Sequence, residues 1–225
     1  MASAPRPAAI ILAGGASRRM GRDKALLRLP DGSTTLEMTL TSARQVADPV
    51  YLAVDSQARA DALCRDLPSA PPVLIDDMPG EGPLAALASG LRSSKAPAVL
   101  LLSVDAPLTS AAVLRMLWES VATEPMIGVD NVPPFDIAIG VVGGMFQPMP
   151  ACYASRLADV AACLLRKGER SMHALLRAPN IRIRQLDEAA LRVADPRLQS
   201  FARANTPEEW EALYARVADG APGGS

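Results

Sequence analysis

Between Arg18 and Lys24 the chain sets four cations against one carboxylate, a local charge of +3 in a protein of net charge −1. Gly14 and Gly15 stand just before them, at the end of an apolar run, Ala8-Ala9-Ile10-Ile11-Leu12, that reads as a first strand. A strand, a glycine-rich turn and clustered cations describe a phosphate cradle. Glycines bring no Cβ, so backbone N–H groups can approach an anion closely. Lys24 is one of only three lysines, with Lys95 and Lys167. At the end of this loop its flexible point charge can follow a triphosphate. The spacing fits neither G-x-x-x-x-G-K-[ST] nor G-x-G-x-x-G. A plain β–α turn with solvated arginines is the other reading of the same residues.

Three later apolar runs end on carboxylates. Val50–Val54 leads to Asp55, Val73–Ile75 to Asp76-Asp77, and Ala98–Val104 to Asp105. Each carboxylate could also be an ordinary turn residue, Asp105 before Pro107 included. Helical spacing falls between the runs, at Leu36, Leu40 and Ala43, then at Leu84, Leu87, Ala88 and Leu91 with Pro83 in the first turn. A further helix is predicted with Thr109 as its cap and Val113, Leu117 and Val121 facing inward. Alternating strands and helices imply an α/β fold of three layers, with a mostly parallel central sheet and a Rossmann-like first half. Ligands of such sheets bind outside the carboxyl ends of the strands. All four candidate strand ends therefore point to one site.

Beyond residue 125 the pattern is less regular. Met126–Asp130 and Asp136–Val142 read as strands, and Gly143–Ala151 as a loop rich in Gly and Pro. Helical spacing returns at Leu157, Val160, Ala161 and Leu164. Thr206, Pro207 and Glu209 make a capping box for a last helix, which leaves the Asn205 side chain free to face the site. The expected organisation is one domain over 1–218, with a nucleotide-binding half at about 8–124 and an acceptor-binding half at about 125–218. Residues 219–225 are expected to form a flexible tail.

Composition narrows the chemistry. Hydrophobic residues make up 49% of the 225, enough for a sizeable core. A near-neutral charge leaves no footprint for nucleic acid, and no stretch is long and apolar enough to span a membrane. Cys64, Cys152 and Cys163 are odd in number and lack C-x-x-C spacing, which suits a reducing cytoplasm and argues against zinc. The single histidine, His173, excludes transferases built on paired histidines, and no D-x-D metal motif occurs. The glycine-rich loop also resembles that of nucleotidyltransferases, which implies nucleotidyl transfer: a nucleophile attacks an α-phosphate and pyrophosphate leaves. Such catalysis is mainly positioning and electrostatic stabilisation. Asp105 is the candidate Mg²⁺ ligand, and Arg18, Arg19 and Lys24 are candidates to hold the triphosphate. If the attacking group is a phosphate, it is already ionised and no general base is needed.

The run L-A-G-G-x-S-x-R-M-G-x-x-K-x-L-L resembles the signature loop of nucleotidyltransferases, most closely that of the molybdenum cofactor guanylyltransferases, the MobA family. The likeness continues through Asp76–Leu84, Val104-Asp105-Ala106-Pro107, Gln147–Tyr153, Gly168-Glu169-Arg170 and Asn205-Thr206-Pro207-Glu208. The resemblance implies a nucleotidyltransferase fold and transfer of GMP from GTP to the terminal phosphate of molybdopterin, with Mg²⁺. It implies nucleotide or metal contacts for Leu12, Ala13, Gly14, Gly15, Arg18, Lys24, Asp55, Asp76 or Asp77, and Asp105. Arg19, Lys24 and Asp105 would be catalytic. Gly80, Gly82, Pro83, Leu84, Pro148, Pro150 and Asn205 would face the acceptor. Molybdoenzymes or other cofactor-biosynthesis proteins would be the recipients.

Guanine-using members carry L-A-G-G, as here, and related cytidylyltransferases L-A-A-G. The pattern departs at Arg203, where the family commonly has Asn, and at Asp55, where Asn is also common. A cytidylyltransferase, a transferase with another phosphate acceptor, and a non-catalytic cofactor-handover protein are the alternatives.

Overall fold

The computed structural model describes residues 6–14, 23–75, 82–122 and 135–220. Among them seven strands form one sheet: β1 (Ala8–Leu12), β2 (Val50–Val54), β3 (Val73–Ile75), β4 (Ala98–Ser103), β5 (Ile137–Val142), β6 (Met145–Ala154) and β7 (Ile183–Leu186). Their order is β3-β2-β1-β4-β6-β5-β7. Strands β1 to β4 are mutually parallel, β5 and β7 are parallel to each other, and β6 runs antiparallel to both β4 and β5. The sheet is thus mostly parallel, with β6 reversed inside it. The α/β fold expected from the alternation is the one observed.

Among the described residues eight helices flank the sheet: α1 (Thr35–Arg44), α2 (Gln57–Cys64), α3 (Pro83–Ser93), α4 (Ala111–Ala122), α5 (Ala158–Arg166), α6 (Met172–Leu176), α7 (Glu188–Ala194) and α8 (Pro207–Gly220). Side chains alternate across a strand, and the central strands bury both sets. Ala9 and Ile11 of β1, with Leu100 and Leu102 of β4, pack among Leu36, Leu40, Val113 and Leu117 from α1 and α4. Ile10, Val99 and Leu101 face the other way, onto Leu84, Leu87 and Leu91 of α3. Helix α3 lies so close to β1 that a Cβ at Gly90 would fall 1.8 Å from Ile10 Cδ1.

Two expectations are corrected. The segment 143–151 is not a loop. Gly143 and Gly144 have φ of 58° and 73°, and they join Val142 to its partner Met145. Two consecutive positive φ values make the two-residue turn whose twist matches a hairpin, and glycine adopts them without strain. The chain therefore turns back at once into β6. Nor does Thr109 cap α4. Ser110 Oγ accepts the Val113 N–H at 3.2 Å, while Thr109 Oγ1 donates to the carbonyls of Ala106 and Ser200 at 2.9 and 3.1 Å. The predicted strand Met126–Asp130 lies outside the described residues.

Candidate active site

Strands β2 and β3 lie on one side of β1, and β4 on the other. The order in which successive strands join the sheet reverses between β1 and β4, and the crevice at such a switch point is where open α/β sheets bind ligands. Both strands end there. The Ala13 N–H donates to Ala53 O at 3.0 Å, and the Val104 N–H to Leu12 O at 3.2 Å. Gly14, Asp55 and Asp105 thus follow the carboxyl ends of three adjacent strands. Leu12 is half-buried, Ala13 is buried and Gly14 is exposed. Among the described residues, the atom nearest to a Cβ at Gly14 would be Asp55 N at 3.6 Å.

Lys24 opens a short 3-10 turn, Lys24–Leu26, which Asp23 caps by accepting the Ala25 N–H. Its Nζ donates to Asn205 Oδ1 at 2.7 Å. Asn205 therefore faces the site rather than capping α8. That cap is made by Thr206 and Glu209 as expected: the Glu209 N–H donates to Thr206 Oγ1, and Glu209 Oε2 accepts the Asn205 and Thr206 N–H groups.

The Ala204 N–H donates to the backbone oxygen of Asp105 at 2.9 Å, which lays the 203–205 segment along the end of β4. One carboxylate oxygen of Asp105, Oδ1, is buried and has no hydrogen-bond partner among the described residues. Buried polar atoms are nearly always paired, so an orphan carboxylate oxygen in a crevice marks a place for a cation or donor. Among the described residues no group of three or more His, Cys, Asp or Glu could form a metal cage. One carboxylate still fits Mg²⁺, which takes hard oxygen ligands, often a single carboxylate with substrate phosphates and water. Asp55 is half-buried and accepts the Ser56 hydroxyl at 3.1 Å.

Strand β6 forms the other wall. Ile139 pairs with Ala151, and Gly140 pairs with Gln147, so Pro148, Met149 and Pro150 bulge out of the ladder. The sequence explains the place, since neither proline has an N–H to give. Two side chains pin the bulge. The Tyr153 hydroxyl donates to Pro148 O at 2.8 Å, and Arg203 Nη2 donates to Met149 O at 2.7 Å. Burial pushes the Tyr153 hydroxyl far above its ordinary pKa, so it stays a donor.

Gly82 has φ 78° at the start of α3, Pro83 fills the first helical position, and the Leu84 side chain is wholly buried in the core. A Cβ on Gly82 would sit 3.4 Å from Arg170 O, so α3 begins beside the Gly168–Arg170 segment. Gly15, Arg18, Arg19, Asp76, Asp77 and Gly80 lie outside the described residues. The sequence did not single out Arg59. From α2 its Nε donates to Ala13 O at 2.7 Å, while both Nη groups bind the Asp23 carboxylate. Only tertiary contact marks it, for Ala58-Arg59-Ala60 carries no motif.

Comparison with known proteins agrees with this geometry. The chain is 38% identical over 191 residues to a Mycobacterium tuberculosis protein described as "Probable molybdenum cofactor guanylyltransferase", covering 82% of this chain and 86% of that one. It shares its fold with the molybdopterin-guanine dinucleotide biosynthesis protein A of Archaeoglobus fulgidus, with a TM-score of 0.77 and 21% identity over 94% of this chain and 99% of that one. It also shares it with a Mycobacterium tuberculosis protein crystallised in complex with manganese, with a TM-score of 0.65 and 19% identity over 93% and 98% of the two chains. The family model for the MobA-like NTP transferase domain matches residues 9–187, so the chain belongs to the MobA-like NTP transferases and is a nucleotidyltransferase.

Proposed function

We propose that the protein is a molybdenum cofactor guanylyltransferase that moves GMP from GTP to the terminal phosphate of molybdopterin and releases pyrophosphate. The observation that carries this reading is the orphan Asp105 carboxylate oxygen in the crevice beside Gly14. The relatives' names and the L-A-G-G loop support guanine as the base. In the reaction an acceptor phosphate oxygen forms a bond to the α-phosphorus of GTP. The bond from that phosphorus to the bridging oxygen breaks, and pyrophosphate takes the electron pair. No proton need move, which suits a chain whose one histidine, His173, is exposed on α6.

Asp105 would hold Mg²⁺. Bound there, the ion would neutralise charge on the phosphate oxygens. The chain's own groups orient the rest. Backbone N–H groups at the loop would meet the phosphates, Lys24 would follow the leaving pyrophosphate, and Asn205 would hold Lys24 until the nucleotide takes it. Arg18 and Arg19 would add positive charge for the triphosphate. Gly82, Pro83 and the Pro148–Pro150 bulge would receive the pterin. We also place the enzyme in the cytoplasm, where its three free cysteines stay reduced, with molybdoenzymes as recipients.

The first test is thermal stabilisation by GTP, CTP, ATP and UTP, each with Mg²⁺, followed by transfer to molybdopterin with pyrophosphate release as the readout. A ligand at a hundred times its dissociation constant stabilises by about 2.7 kcal/mol, a visible melting shift. A shift with GTP and pyrophosphate release with the pterin are the expected outcomes. A response to CTP alone would make the protein a cytidylyltransferase, and tight GTP binding without turnover would make it a handover protein.

A further inference from the structure

Arg203 is a half-buried guanidinium with no carboxylate at ion-pair distance among the described residues. Among the described residues its buried Nε has no hydrogen-bond partner, and Nη2 donates to Met149 O at 2.7 Å. Taking a charge out of water without a partner is costly, and a guanidinium does not shed its proton to escape. The fold nevertheless holds this cation in place. Met149 O fixes one Nη group, and the backbone beside it is tied down by the Ala204 N–H, which donates to Asp105 O at 2.9 Å. A cation kept fixed, half-buried and without a counter-charge beside a substrate crevice is built for an anionic ligand.

Its position decides which anion. Arg203 and Asn205 flank Ala204 and reach in different directions. Asn205 reaches Lys24 at the end of the glycine-rich loop, and Arg203 reaches the Pro148–Pro150 bulge of β6. Asp105 lies between them at the end of β4. We propose that Arg203 binds the terminal phosphate of the acceptor and holds that phosphate for attack on the nucleotide. The inference rests on the guanylyl-transfer reading for the acceptor's identity, but not for the anion-binding role. A planar guanidinium with one Nη committed to Met149 has its remaining edge oriented, and two parallel N–H donors match two phosphate oxygens. This is a different job from the amide side chain the family commonly carries here, which has no charge to offer.

The test uses the full chain with Arg203→Gln and Arg203→Lys. Inorganic phosphate is titrated with GTP and Mg²⁺ saturating, so that the triphosphate site is already filled. Phosphate should raise the melting temperature of the wild type, fail to do so in Arg203→Gln, and retain part of its effect in Arg203→Lys. In turnover, KM for molybdopterin should rise tenfold or more in Arg203→Gln with kcat changed less, while the dissociation constant for GTP stays within threefold. Equal phosphate stabilisation of wild type and Arg203→Gln would overturn the proposal. So would a loss of GTP affinity with acceptor KM unchanged, which would move Arg203 to the triphosphate. If Arg203→Gln does not fold, Arg203→Lys, which keeps the charge and one donor for Met149, carries the same readouts. A wild type that does not respond to GTP rejects the nucleotide reading separately, and phosphate titrated without nucleotide then decides the role of Arg203.

Discussion

Arg59 grips both oxygens of Asp23, at 2.8 and 3.0 Å, while its Nε holds the carbonyl of Ala13 at 2.7 Å. Ala13 and Asp23 are the two ends of the glycine-rich loop. One side chain on α2 therefore fixes how far apart those ends stand. The same carboxylate caps the turn that carries Lys24, so the position of Lys24 depends on Arg59 too.

Lysine cannot reproduce that fork, since it offers a point charge on a flexible stem. Arg59→Lys should lower GTP affinity by about tenfold, equivalent to 1.4 kcal/mol. The ion pair is about three-quarters buried, with side-chain exposures of 20% and 27%. Arg59→Ala combined with Asp23→Asn in a double-mutant cycle should give a coupling of about 1–2 kcal/mol in denaturant unfolding. Titration calorimetry checks the first figure. A GTP affinity equal to wild type in Arg59→Lys would remove the loop-clamping role.

Among the described residues Gly14 has room for an added methyl. Its Cβ would make ordinary contact with Asp55 N at 3.6 Å and with Val54 at 3.8 Å, and its backbone lies outside the left-handed region. Gly14→Ala should therefore leave the melting temperature within about a degree of wild type. Any loss must come from the ligand. Because cytidylyltransferases resembling this chain carry Ala at this place, the variant should lose GTP affinity and gain relative affinity for CTP. A large fall in melting temperature would show that Gly14 serves packing instead.

Gly90 is the opposite case. A methyl there would sit 1.8 Å from Ile10 Cδ1 and 2.8 Å from Cγ1. Replacing a mid-helix glycine with alanine gains about 1 kcal/mol of helix propensity. Overpacking a tight core costs about 1–3 kcal/mol, and Ile10 is wholly buried, with Cγ1 as well as Cδ1 inside contact distance. The clash outweighs the propensity, so Gly90→Ala should destabilise by up to about 2 kcal/mol. Adding Ile10→Val, which removes Cδ1, should recover part of that loss. Denaturant midpoints of the two single variants and the double variant check both statements.

The parallel half of the sheet was legible because each of its strands is a continuous apolar run that ends on a carboxylate or the glycine loop. Alternation along the strands, as in Ala9 and Ile11 against Ile10, needs no long-range knowledge to read. Asn205 could be turned toward the site from sequence because Thr206 and Glu209 already account for the cap. Strand β6 was hidden for a physical reason. Its Pro148 and Pro150 argue against a strand, and only the ladder reveals that they occupy a bulge where no N–H is required. Arg59 was hidden because its partners are 36 and 46 residues away. Arg203 was visible as a departure, but its bond to Met149 spans 54 residues, so its job was not.

Asp105 sets stability against function. Its buried Oδ1 has no hydrogen-bond partner among the described residues, and a buried polar group left without a partner costs about 1–3 kcal/mol. Asp105→Asn keeps the shape, removes the charge and preserves the backbone oxygen that Ala204 uses. The variant should melt at or above the wild-type temperature in metal-free buffer. It should also lose at least about a hundredfold in kcat for GMP transfer, since removing one group that stabilises developing charge costs about 2.7–4 kcal/mol. Stabilisation of the wild type by GTP should grow when Mg²⁺ is added, and in Asp105→Asn this dependence should vanish. Full turnover in Asp105→Asn would remove it from the metal site, and a markedly lower melting temperature would mean that its carboxylate has a structural partner after all. The pair of measurements is needed because a carboxylate kept for the fold and one kept for the metal move melting temperature in opposite directions when the charge is removed.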